Sequence, residues 1–229
     1  MIGIICAMDA EYDAVKKGFD TFREFVHDGF RFAESISPRM VLARSKVGKT
    51  AAAACVEVMT ALYPLIDLII STGISGALAP QIPIGSVIIG KKVLDYGDEA
   101  SVRYPLHPIR KLNAGAEVFC ERQRIPVFTG TVVSSDVPVF DASLKKQLCQ
   151  EFDAISVEME SAGICAECWK RGIRVSVMKV ISDFAEPGAV GQFRRGFIMA
   201  FNNLSELFSN RIREWEEWYE EMACRHCDV

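Results

Sequence analysis

Histidine is scarce in this chain, three in 229 residues. His27 and His107 have no partner at metal-ligand spacing. Long apolar runs are scarce too. The most apolar stretch, Leu65 to Pro80, contains Asp67 and several glycines and is too short to cross a bilayer, so no transmembrane segment is expected. No basic segment followed by an apolar one opens the sequence, so no signal peptide is expected and a cytoplasmic location is. Surplus positive charge is missing: 26 Lys and Arg against 30 Asp and Glu leave a formal charge of −4. That balance argues against a general nucleic-acid binder. Repeats, low-complexity tracts and linkers are also missing, which leaves one domain over 1–229.

Two nucleotide-binding signatures fail. Val47-Gly48-Lys49-Thr50 looks like the close of a phosphate-binding P-loop, but Ala43 stands where that loop needs its first glycine. Gly3 lies inside the first apolar run, and the dinucleotide glycine series does not follow it. The eight cysteines form no dense disulfide scaffold, and most read as buried free thiols. Cys165 and Cys168 fall mid-helix, whereas a redox pair sits at a helix N-terminus. Cys224, His226 and Cys227 lack a second cluster to complete a zinc site and read as a frayed tail. No metal and no organic cofactor is expected.

Half of the residues are apolar, enough for a sizeable core. Met1 to Met8 reads as a short strand, followed by a helix to about Lys17. Phe22 to Phe25 and Phe30 to Ser35 flank Asp28-Gly29, a hairpin signal. Met40 to Arg44 is a strand, and Lys49 to Leu62 an alanine-rich helix. Leu65 to Ser71 and Ser86 to Leu94 read as strands, and Asp95 to Pro108 as a polar loop. Helices over 111–122, 143–151 and 161–171 alternate with strands over 126–133, 155–158 and 174–182. Asp141 or Ser143 caps the second of those helices. A long helix runs from Phe193 to about Met222. This alternation predicts a single-domain, three-layer α/β/α sandwich with a central mixed sheet.

Four segments concentrate chemistry. Glu11 follows the first strand; alone, it also reads as an ordinary acid at a helix start. Ser71-Thr72-Gly73-Ile74-Ser75-Gly76-Ala77 follows a buried strand, where small residues form a tight turn or admit a ligand to the backbone. In Val157-Glu158-Met159-Glu160, a continuing strand puts both carboxylates on one side. Buried there, they need donors, and sugar hydroxyls are suitable ones; the alternative is an acidic first turn of a helix. Lys179-Val180-Ile181-Ser182-Asp183 ends a buried strand on an acid, either a functional group or a cap.

Together with Ile2-Gly3-Ile4-Ile5-Cys6-Ala7-Met8 and Lys46-Val47-Gly48-Lys49-Thr50-Ala51-Ala52, these segments resemble the nucleoside phosphorylase and nucleosidase superfamily. The resemblance is closest to the 5'-methylthioadenosine/S-adenosylhomocysteine nucleosidases and runs from residue 2 to about 197, in the family's order. It implies a partly barrel-like sheet, and cleavage of the N-glycosidic bond of a 5'-modified adenosine by water. Asp183, supported by Ser182, then corresponds to the acid that protonates the purine. Glu11 corresponds to the base that activates water, and Glu160 to the carboxylate that grips the ribose hydroxyls. Met159 matches the residue packed under the ribose, Glu158 in the same segment helps hold the water or sugar, and Ser71 and Gly73 to Gly76 line the water side. Val137, Val139 and Phe193 match the base-binding residues. The partner implied is a small adenine nucleoside, in a homodimer.

Departures concern the substrate. Lys179 stands where the family has arginine, and the two are not equivalent. Pro138 replaces an aromatic residue, Glu186 an aspartate, and 97–109 resembles the family poorly. The alternatives are a purine nucleoside phosphorylase, a nucleosidase for another 5' group (aminofutalosine or a lipid-linked adenosine), or an inactive nucleoside-binding protein. No arginine lies near the glycine segment to bind phosphate, and Glu11 would repel it, which favours hydrolysis.

Overall fold

The computed structural model describes residues 1–37, 39–97, 102–106, 109–186 and 189–225. Strand β1 (Ile2–Cys6) is buried along its whole length, as a central parallel strand is. It lies between β4 (Met40–Arg44) and β5 (Leu68–Ala77), parallel to both. Ile2, Ile4 and Cys6 enter one core and Ile5 the opposite one, by the two-residue alternation of a strand. The first core receives α1 (Asp9–Lys16), α3 (Arg110–Gln123) and α6 (Ala189–Arg225). The second receives α2 (Lys49–Leu62) and α5 (Ser161–Lys170). Two helical layers thus enclose the sheet.

The remaining strands are β2 (Thr21–His27), β3 (Phe30–Ser37), β6 (Val87–Tyr96), β7 (Val102–Pro105), β8 (Val127–Ser135), β9 (Ala154–Glu158) and β10 (Arg174–Asp183), with α4 (Ala142–Phe152) before β9. The order runs β10-β6-β8-β9-β5-β1-β4-β3-β2, and β10 pairs with β5 as well. That pairing closes five strands into a ring and leaves β1-β4-β3-β2 as an open arm. Parallel and antiparallel pairs alternate irregularly around the ring, so the sheet is mixed. The β2–β3 hairpin turns at Asp28 and Gly29, with φ of 48° and 78°, the signs a two-residue primed turn needs. Asp141 caps α4, accepting from the Leu144 amide at 2.7 Å.

Three expectations are corrected. The polar stretch after Leu94 is not all loop: β6 continues to Tyr96 and β7 pairs with it. Backbone pairing does not require apolar side chains at a sheet edge, so polarity misleads there. The glycine segment is not a turn, because β5 runs through it to Ala77 and pairs with β10 and β9. The last helix starts at Ala189, before Phe193.

Candidate active site

The carboxyl ends of β5, β9 and β10, the residues just after β1, and the segment after β8 converge on a cavity of about 250 Å³. In open α/β sheets such ends form the usual ligand crevice. Glu11, in the first turn of α1, turns its buried carboxylate back over the end of β1. Its Oε2 accepts from the amides of Ala7 at 2.8 Å and Met8 at 2.9 Å, and its Oε1 from Ile74 at 2.8 Å. Burial pushes its pKa above the ordinary carboxylate value; Lys179 and the three amides offset only part of that. Gly73 makes room for it. Its φ is +126°, and a Cβ there would stand 2.4 Å from Glu11 Oε1.

Glu158 and Glu160 do not share a strand face. Glu158 ends β9, while Glu160 is the N-cap of α5 with φ −126° and ψ −40°. Both reach the cavity wall, from different elements. Glu158 is saturated by protein donors. Lys179 Nζ lies 2.9 Å from its Oε2, the Ser161 amide and hydroxyl donate at 3.0 and 2.9 Å, and Ser134 Oγ and the Glu160 amide also donate. Burial opposes its charge, but Lys179 and these donors outweigh burial and hold its pKa below the ordinary value. Lys179 also donates to the Thr72 carbonyl at 3.1 Å. Glu160 is less well served. Its Oε1 accepts from the Gly48 amide at 3.0 Å, and burial, reinforced by the charge on Glu158, raises its pKa to about 7.

Asp183 closes β10 at the other end of the cavity. Ser182 Oγ donates to its Oδ2 at 2.7 Å, and the Ala185 amide to its Oδ1 at 2.8 Å. The chain beyond it is held by Lys145, which donates to the Phe184 carbonyl at 2.7 Å and to Glu186 at 2.6 Å. Gly73 and Gly76 abut the Glu11 and Asp183 carboxylates respectively. The two glycines are three positions apart along β5, about 10 Å of strand.

Gly76, Val137, Val139, Met159 and Ser182 join Glu11, Glu158, Glu160 and Asp183 on the wall. Ser71 does not: it is fully buried, with its Oγ 2.9 Å from Ser161 Oγ. Gly73 acts on the cavity only through Glu11. Phe193 lies on α6, with its side chain outside the described residues. Phe197, one helical turn later, lines the cavity, as do Val47, Ile74 and Phe140; the i, i+4 spacing from Phe193 was the available signal for Phe197. Among the described residues, no group of three or more His, Cys, Asp or Glu is placed to hold a metal ion.

The family model described as "Phosphorylase superfamily" matches residues 1–212. The chain belongs to the phosphorylase superfamily. Within the superfamily it is similar to the aminodeoxyfutalosine nucleosidase of Helicobacter pylori, 27% identical over 82% of this chain and 87% of that protein. It is equally similar to the 5'-methylthioadenosine/S-adenosylhomocysteine nucleosidase of Buchnera aphidicola, 27% identical over 90% and 94%. The superfamily fold is matched by a crystal structure of a Helicobacter pylori nucleosidase mutant with 5'-methylthioadenosine in its active site, at TM-score 0.83 and 23% identity over 93% of this chain and 98% of that one. The S-adenosylhomocysteine nucleosidase of Streptococcus pyogenes, in complex with 5-methylthiotubericidin, matches at TM-score 0.83 and 22% identity, over 93% and 96%.

Proposed function

We propose that this chain hydrolyses the N-glycosidic bond of a 5'-substituted adenosine and releases adenine. One observation supports this most. The cavity carries Asp183 at one end and Glu11 and Glu160 at the other, and no Lys, Arg or His is among its described lining residues. A phosphate co-substrate needs cationic donors beside the sugar. A wall of carboxylates instead suits an oxocarbenium-like state, in which positive charge grows on the ribose.

In this reading Glu11 accepts a proton from water as the water oxygen bonds to the anomeric carbon. The C1'–N9 bond breaks and its electron pair goes to the purine. Asp183 delivers a proton to N7, so that adenine leaves neutral. Glu160, which lines the cavity with fewer donors than Glu158, accepts from the ribose hydroxyls. Glu158 is already occupied by Lys179, Ser134 and Ser161, so it shapes the sugar end without gripping the substrate. The nucleosidase relatives support the same class of reaction.

The test is base release by purified protein, with and without phosphate. The substrates are 5'-methylthioadenosine, S-adenosylhomocysteine, aminodeoxyfutalosine, adenosine and inosine. Adenine release without phosphate is expected, and Asp183→Asn should lower the rate by about 10² to 10⁴. That variant keeps its seat, because its carbonyl still accepts from Ala185 and Ser182 can turn to accept from the new amide. Cleavage only in the presence of phosphate would overturn the hydrolase reading. A homodimer belongs to the same proposal, and light scattering tests it.

A further inference from the structure

A lysine opens α2, and by itself that is an unfavourable place for a cation. Helix N-termini favour anions, and the first turn of α2 holds no acidic residue. The Lys49 ammonium nevertheless has three partners, all from other elements. It lies 2.5 Å from Asp95 Oδ1, 2.7 Å from Asp136 Oδ1, and donates to the Tyr96 carbonyl at 3.2 Å. Its side chain is only 14% exposed. Burial alone would lower its pKa, and the hydrogen bonds to Asp136 and Asp95 raise it instead.

The backbone of Lys49 is fixed as firmly as its side chain. A Cβ at Gly163 would stand 2.0 Å from the Lys49 carbonyl oxygen, so the starts of α2 and α5 touch with no side chain between them. Asp136 directly precedes Val137, which lines the cavity with Pro138, Val139 and Phe140. Gly48, directly before Lys49, donates its amide to Glu160. Two adjacent residues therefore hold the sugar-end carboxylate on one side and the 136–140 segment on the other.

We propose that Lys49 is a positioning residue that clamps the 136–140 segment to the start of α2 and so sets the base end of the cavity relative to Glu160. The clamp is a matter of geometry; that its ligand is an adenine nucleoside rests on the nucleosidase reading. Three single substitutions separate its arms. Lys49→Met removes both. Asp136→Ala cuts only the arm to the segment and leaves Lys49 paired with Asp95, so it stays informative where Lys49→Met fails to fold. Asp95→Ala cuts the other arm.

Two readouts are taken on the full chain: hydrogen exchange of the Val137, Val139 and Phe140 amides, and kcat and KM for whichever nucleoside wild type cleaves. Lys49→Met and Asp136→Ala should each speed exchange of these amides about tenfold. Both should raise KM about tenfold while kcat stays within about twofold, because substrate seating is lost and the reacting groups are not. Asp95→Ala should change both readouts less. The double variant Lys49→Met/Asp136→Ala should be no worse than Lys49→Met, as expected of groups acting through one contact. Unchanged exchange in Asp136→Ala, or a fall in kcat at constant KM, would overturn the clamp. Wild type inert toward every nucleoside would overturn the nucleosidase reading, and the exchange readout would still decide the clamp.

Discussion

Lys179→Met removes the cation on which the site's charge balance turns. Lys179 and Glu158 have side chains 2% and 1% exposed, with Nζ 2.9 Å from Oε2. Breaking one member of such a buried pair typically costs about 3–5 kcal/mol, because the remaining charge is left uncompensated. Here Glu158 keeps donors from Ser134, Ser161 and the Glu160 amide, which places the expectation at the low end, about 3 kcal/mol. Urea unfolding should show that loss as a lower midpoint at constant slope. The pH dependence is fixed by the two shifts. Glu158 has a lowered folded pKa, so its contribution is present above its ordinary value of 4.5 and is lost as pH falls through the lower one. Lys179 has a raised folded pKa, so its contribution is complete below 10.5 and is lost as pH rises through the higher one. The difference between wild type and variant should therefore be steady at about pH 5 to 6 and widen as pH rises past 7, because Glu160 without Lys179 beside it keeps its proton to higher pH. Activity gives a second measure. Lys179 holds down the pKa of Glu160, so its removal should move the acid limb of the pH–rate profile to higher pH. A stability loss below about 1 kcal/mol, which is the range of an exposed pair, or an acid limb that stays or moves to lower pH, would refute the reasoning.

Other substitutions probe the same frame. Glu160 has a folded pKa of about 7, above its ordinary value, so its contribution to stability is full below 4.5 and is lost as pH rises through 7. Glu160→Gln should gain melting temperature relative to wild type between pH 5 and pH 8; an equal difference at both would count against this. Gly73→Ala should expel the Glu11 carboxylate, destabilise the chain by about 2 kcal/mol or more through steric overlap and positive-φ strain, and abolish base release; full activity would show that Glu11 is seated otherwise. Trp215 is buried on α6 against Phe208, at 5.4 Å and 85°. Trp215→Ala should cost about 3–5 kcal/mol and leave kcat/KM near wild type below its melting temperature.

Much of this architecture was legible in the residues. Short apolar runs located β1, β4 and β10, Asp28-Gly29 marked the hairpin, and alanine-rich spacing delimited α2. What escaped has physical causes. Whether Ser71 faces ligand or core depends on strand register, which only the pairing of β5 with β1 and β10 fixes. Alternation left open whether Glu160 continues the strand or opens a helix; β9 ends two residues before it, and Glu160 caps α5. Lys179 was visible as a lone charge inside a buried run, but its pairing with Glu158 joins two strands separated by α5 and set by the closure of the ring. β7 escaped because an edge strand is held by backbone hydrogen bonds, which leave little trace in composition.

Closure of the ring through β10 and β5 also governs how the molecule meets its own kind. Every strand that carries a site residue has neighbours on both sides, so none offers an unpaired backbone to another chain. The open edges are left to β2 and to four-residue β7. β2 presents Arg23, Glu24 and His27, and β7 ends in Pro105, the charges and imino acid that discourage strand addition. Resistance to edge-to-edge aggregation and a rigid cavity wall thus arise from the same hydrogen-bonded seam.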